Sequence, residues 1–251
     1  MRPMRNILLI SVVFLALPTR TMAQAATVSR KLESELSGSI FFGNTSQTLA
    51  STRVQFERRD STFGFRLGGR FHYGESTPEP GGTFVSKRAW ELDGRMEFLP
   101  HGEFAPFVRA NVNASLENRI AQRYSIGVGS LYRVVQTGGT DVVLSVGAAG
   151  ENTRPIGDTL SSTTLVRGNT TVRLRRDFSS TVSLTTETSY QPAFRPTSDY
   201  TIVSVTALRT RLSSFAALTL TFRDNYDSRA VLRGARVNND GELLVGLLTS
   251  F

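Results

Sequence analysis

The chain has 251 residues, with 29 Lys and Arg against 21 Asp and Glu, a formal net charge of +8, two histidines and no cysteine. The missing cysteines exclude disulfides and thiolate metal sites, and two separated histidines make no ligand cluster, so neither a metal nor a cofactor is expected. The basic residues lie singly along the chain and form no run, which argues against a nucleic-acid partner.

In chain order the first feature is an export signal. Arg2 and Arg5 precede an apolar run from Ile7 to Leu17, Pro18 breaks it, and Ala23-Gln24-Ala25 supplies small residues for cleavage. That run is roughly half of the ~20 residues a spanning helix needs. Residues 1–25 therefore form the expected signal peptide, with cleavage after Ala25 or Ala23, and no cysteine follows to carry a lipid anchor. Its removal takes away Arg2, Arg5 and Arg20 and no acid.

From residue 26 to 251 the pattern is that of strands. Apolar and polar residues alternate in segments of roughly ten, separated by Gly, Asn, Asp, Ser and Pro. In Thr62 to Tyr73 one face carries Phe63, Phe65, Leu67, Phe71 and Tyr73, and the other Arg66, Arg70 and His72. About twelve such segments are expected: Leu32 to Phe42, Gln47 to Arg58, Thr62 to Tyr73, Thr83 to Phe98, Phe104 to Leu116, Arg123 to Val135, Asp141 to Ala149, Thr163 to Arg175, Thr181 to Tyr190, Tyr200 to Arg211, Phe215 to Tyr226 and Asn238 to Phe251. Short turns near Arg59-Asp60, Pro100-His101-Gly102, Thr137-Gly138-Gly139, Asp177-Phe178 and Leu212-Ser213 alternate with mostly longer connections. The longer ones are Gly74 to Gly82, Glu117 to Gln122, Gly150 to Ser161, Gln191 to Asp199 and Asp227 to Val237. The first connection, Gly43 to Ser46, is unusually short for that side. The expected fold is all-β, an antiparallel up-and-down transmembrane β-barrel. Short turns and termini face the periplasm and longer loops face out.

Desolvation decides which face meets lipid, because ionised groups are costly in hydrocarbon while a lumen can hydrate or pair them. The expected lumen lining is Arg66, Arg70, Arg95, Arg109, Arg133, Arg167 and Arg173, with Glu91, Glu97 and Glu187. Glu57 and Glu242 are further candidate partners for these arginines. Trp90, Tyr73, Tyr124, Tyr132, Tyr190, Tyr200, Phe222 and Tyr226 are candidates for interfacial aromatic girdles. At the C-terminus Leu243, Val245, Leu247, Thr249 and Phe251 share one face, and Phe251 ends the chain.

Several segments resemble the YdiY-like, salt-induced outer-membrane protein family, a domain of unknown function. They are Leu36-Ser37-Gly38 followed by Gly43-Asn44-Thr45, then Trp90 to Phe98, Phe107 to Leu116, Ile126-Gly127-Val128-Gly129 with Tyr132-Arg133, Asp141 to Gly150, Asp199 to Leu208, Thr219 to Asp227 and Gly241 to Phe251. The family often has an aromatic residue close before its terminal Phe, where this chain has Thr249. The resemblance implies an outer-membrane location among lipid and lipopolysaccharide, and recognition of the last strand by the barrel-assembly machinery. It supplies no catalytic residue.

Catalysis has little support. His72 with nearby Glu75 and Ser76 makes a hydrolytic triad conceivable, but an interior His bonded to charged neighbours is the simpler reading. His101 sits in a tight turn, and Asp224 and Asp227 read as turn and loop residues. Two functions stay open: a passive small-solute channel favouring anions, or a closed barrel plugged by its own ion pairs with a structural or salt-stress role. The chain is expected to be a monomer. A soluble periplasmic β-protein binding apolar ligands is the outsider. Deleting Phe251 is expected to lower the yield of membrane-inserted, heat-modifiable protein severalfold by gel shift, whereas a soluble protein would leave membranes in carbonate whether or not Phe251 is present.

Overall fold

The computed structural model describes residues 28–41, 45–78, 81–157 and 161–251. The expected signal peptide, the Gly43-Asn44 part of the first connection, and parts of the connections at 79–80 and 158–160 lie outside them. Twelve strands follow one another: β1 Ser29–Phe41, β2 Thr45–Arg59, β3 Phe63–Pro78, β4 Phe84–Phe98, β5 Phe104–Ser115, β6 Ile120–Thr137, β7 Thr140–Pro155, β8 Thr163–Asp177, β9 Val182–Pro192, β10 Tyr200–Arg211, β11 Ala216–Asp227 and β12 Asn239–Ser250. Each pairs antiparallel with its sequence neighbours, and β12 pairs with β1, so the sheet closes. Closure gives every strand a hydrogen-bonded neighbour on both sides, the condition for a sheet to cross hydrocarbon.

Strands of 11 to 18 residues exceed the ~9–11 that cross a bilayer, so they project beyond it. β3, β6 and β7 run several residues into segments expected to be loops: β3 reaches Pro78, β6 begins at Ile120 and β7 reaches Pro155. Outside hydrocarbon the apolar half of the alternation is no longer required, so the sequence period fades before the ladder ends. The β2–β3 turn is fixed by Asp60, which accepts hydrogen bonds from the Phe63 and Thr62 amides at 2.7 and 3.0 Å. Those two bonds, the Phe63 one foremost, hold its carboxyl below the ordinary carboxylate range.

The closing seam is the shortest ladder bordering the terminal strands. β1 and β12 share six register pairs, Glu33 with Ser250 through Gly38 with Val245, against thirteen between β1 and β2. Phe251 extends the seam past the last strand residue, because its amide donates to the Leu32 carbonyl and its carbonyl accepts from the Leu32 amide, both at 2.9 Å. Its ring stays 75% exposed on the outer surface. Leu243, Val245 and Leu247 are exposed on that same surface, while Thr249 is half-buried and donates to the Ser34 carbonyl.

Exposed apolar side chains cover the outside of every strand pair, among them Val54, Leu67, Leu92, Ile126, Val146, Val172 and Leu220. Aromatic pairs sit at both ends of this band. Phe63 packs edge-on against Phe98, and Phe104 lies near Tyr132, at the end holding the termini. Toward the other end Tyr200 stacks on Tyr226 and lies tilted against Tyr190.

Inside, β6 and β7 present glycine. An added Cβ at Gly127, Gly129 or Gly147 would lie 2.5–2.6 Å from a carbonyl oxygen of the facing strand, so the backbone itself occupies the space a side chain needs. Gly129→Val is expected to destabilise the folded barrel by about 2 kcal/mol, the usual cost of overpacking, in urea unfolding from liposomes. Gly150→Val, where an added Cβ meets nothing within 4 Å, is expected to be near neutral.

Candidate functional site: the charged lumen

The period of two sends every other residue inward. On β4 Trp90, Leu92, Met96 and Phe98 are exposed to the outside, while Glu91, Asp93, Arg95 and Glu97 are half-buried or buried within. All ten expected lumen residues fall on the inward face of their strands. Arg70, Glu91, Arg95, Arg109 and Arg167 border an internal space of about 1420 Å³, its open mouth included. Arg66, Glu97, Arg133, Arg173 and Glu187 share those faces nearer the termini.

Most of the inward charges pair along the wall with an adjacent strand. Arg70 bonds Glu91 at 3.4 Å, Arg109 bonds Asp93 at 2.5 Å, Arg66 faces Glu57 at 3.4 Å and Arg173 faces Asp141 at 3.8 Å. Arg133 donates to the Pro100 carbonyl and so ties the β4–β5 turn. Glu187 lies opposite Arg173 in the ladder yet is exposed within the lumen.

Toward the loop end the pairing changes character, because it crosses the lumen. Lys87 of β4 reaches Asp240 at 2.7 Å and Glu242 at 2.8 Å on β12, a strand separated from β4 by β1, β2 and β3. His72 of β3 places Nδ1 3.6 Å from the same Glu242. On the other side Arg123 of β6 meets Asp227 of β11 at 3.3 Å, with four strands between them. Asp227 also takes Arg233 at 2.6 Å, and Arg233 donates to the Asn118 carbonyl, so the β11–β12 connection with its Val231–Arg233 3-10 turn is tied to the β5–β6 connection. Arg167 completes the girdle, bonding Glu151 at 3.0 Å and Asp199 at 2.7 Å.

These ties revise three expectations. Asp224 and Asp227 are no turn or loop residues: both lie in β11, and Asp227 ends it, is 2% exposed and joins two arginines. Glu242 pairs with Lys87 rather than an arginine, with His72 Nδ1 3.6 Å away and not hydrogen-bonded to it, and Glu187 makes no ion pair within 4 Å among the described residues. Among the described residues no hydrogen bond joins His72 to Ser76, so the structure does not assemble the conceivable triad. The sequence does not single out Lys87, Arg123, Glu151 and Asp240 as lumen residues although their strand parity points inward; the pairing across the barrel reveals Lys87, Arg123 and Asp240, and the pairs with Arg123 and Arg167 on the adjacent strands reveal Glu151. Among the described residues no group of three His, Asp or Glu is arranged to hold a metal.

A family model described as "Protein of unknown function, DUF481" matches residues 34–251. No curated protein is similar enough in sequence to match this chain. Among solved structures the chain is similar to the COG4313 outer-membrane channel from Pseudomonas putida F1, at 10% identity and a TM-score of 0.54, covering 91% of this chain and 96% of that one. It is also similar to the NanC porin, at 8% identity and a TM-score of 0.51, covering 85% of this chain and 98% of that one. At such identities the likeness shows the fold.

Removing one partner of a buried ion pair strands the other. Lys87→Met is therefore expected to destabilise the barrel by about 3 kcal/mol, with Glu242 and Asp240 left unneutralised. Lys87→Met combined with Glu242→Gln is expected to recover more than half of that loss in a double-mutant cycle.

Proposed function

The chain belongs to the DUF481 family of proteins of unknown function, and from that membership and the lumen's construction we propose that it forms a passive outer-membrane channel for small solutes, with anions favoured. The observation that carries this is the internal space, walled by ionised groups that keep contact with solvent: Arg109 and Arg173 side chains are 32% and 30% exposed inside a closed barrel. A dry, packed interior would bury them. Twelve strands enclose a bore between the filled eight-stranded and the open sixteen-stranded barrels. The likeness to a channel and a porin supports the same reading.

On this proposal the termini and short turns face the periplasm, the tied connections face outward, and the outer band with its aromatic ends sits in lipid and lipopolysaccharide. The barrel-assembly machinery reads the final strand, and the protein acts as a monomer without cofactor or catalysis. A second reading draws on the cross-lumen ties. If Lys87–Glu242 and Arg123–Asp227 stay closed, they narrow the outer mouth enough to make the barrel a structural element of the envelope, with a role in salt stress.

Single-channel recording of the refolded protein in a planar bilayer tests this, after a gel shift shows that it has folded. The expected result is discrete steps with an anion-directed reversal potential in a potassium chloride gradient, and larger steps for Lys87→Met/Glu242→Gln. Silence from folded, inserted protein in both forms would overturn the channel and leave the closed barrel.

A further inference from the structure

The ladder sets three arginines side by side in the half of the barrel nearer the termini. Arg66 of β3 lies directly opposite Arg95 of β4, and Arg95 directly opposite Arg109 of β5. Side chains so placed have Cβ atoms about 5 Å apart, and like charges there are destabilising. One such pair can swing apart along the strands. The middle member of a row of three has like charge on both sides.

The carboxylates nearby do not balance the row. Glu57 is shared by Arg59 at 2.9 Å and Arg66 at 3.4 Å, Glu97 by Arg59 at 3.6 Å and Arg95 at 3.7 Å, and Asp93 is taken by Arg109. Four guanidiniums thus share three carboxylates. Arg95, in the centre, has no carboxylate within hydrogen-bond distance, and its guanidinium lies over the Phe107 ring, 4.7 Å from the centroid. Phe107 in turn lies against Gly129, where an added Cβ would be 2.6 Å from the ring. The bare glycine wall therefore makes room for the ring that carries the arginine. Arg66 keeps its Nε buried with no hydrogen-bond partner.

The row is held up by packing and is short of negative charge, a local arrangement that costs stability without serving the fold. Planar guanidiniums in a row match the oxygens of phosphate or carboxylate groups, which they bind bidentately. Access exists, since Arg95 and Arg109 border the internal space. Along β5, Asn113 and Asn111 stand on the same face above Arg109, Asn113 donating to Asn111 at 2.7 Å and Asn111 to Glu91 at 2.9 Å. They line the approach with neutral amides.

We propose that the Arg66–Arg95–Arg109 row is a binding site for a multivalent oxyanion, a small solute bearing phosphate or carboxylate groups, within the lumen. This deepens the channel reading and rests on it only for what the solute does next. Binding in micelles requires no conduction, so a silent channel and an empty site are separate failures.

The test is calorimetric titration of the full refolded protein in detergent with tripolyphosphate at fixed ionic strength, with spermidine and sucrose as cationic and neutral controls. Saturable binding of tripolyphosphate alone is expected. It should weaken about tenfold in Arg95→Gln and in Arg66→Gln, the loss of one charge-assisted interaction. Arg95→Lys should retain part of it, and Arg175→Gln, at the rim beside Asp177, should leave it unchanged. Gel shift establishes that each variant has folded. No saturable binding by folded protein, or equal weakening in Arg175→Gln and Arg95→Gln, would overturn the proposal.

Discussion

Hydrocarbon neither hydrogen-bonds a peptide group nor solvates a charge, and the construction of this barrel depends on that constraint. Every strand must find two neighbours, so the sheet closes even where the closing ladder is only six pairs long. Phe251 then matters through its backbone as well as its ring, since its paired bonds to Leu32 lengthen a short seam. The same constraint sorts side chains by parity, apolar outward and ionised inward, and so concentrates charge in a narrow interior.

What happens to that charge differs along the axis. From mid-barrel toward the termini most ion pairs join neighbouring strands and hug the wall, leaving guanidiniums partly wet. At the loop end Lys87 and Arg123 reach across to β12 and β11, where Glu242 and Asp227 are almost fully buried. The glycines of β6 and β7 and the arginines of β3 to β5 make the section asymmetric, with a bare wall beside a cationic one. On the channel reading proposed above, a wet, cationic lumen behind a braced mouth would favour anions.

Much of this was legible in the sequence. The alternation in Thr62 to Tyr73 and Trp90 to Phe98 is sharp because lipid on one side and charge on the other enforce it, and all twelve strands were found on that signal. Strand ends were lost where the constraint lapses, as at Pro78 and Pro155 beyond the apolar band. Asp227 looked like a loop residue because Asn, Tyr and Asp near a segment end resemble a turn, while its inward aim follows from strand parity two positions past Asn225. Which charges would meet across the lumen was not legible. That depends on how near β4 comes to β12 and β6 to β11, which is set by closure of the whole sheet rather than by any local pattern. The Arg66–Arg95–Arg109 row likewise needs the registers of three strands at once.

The division of inward positions facing water from outward positions facing lipid underlies every strand. The chain has no cysteine of its own, so single substitutions report cleanly. Cysteines at Asn169 and Ser125, which border the internal space, and at Val146 and Leu92, exposed on the outer band, would be challenged with a water-soluble maleimide in liposomes. The account predicts labelling at Asn169 and Ser125 and protection at Val146 and Leu92. Labelling at the outer pair with protection of the inner pair would contradict it.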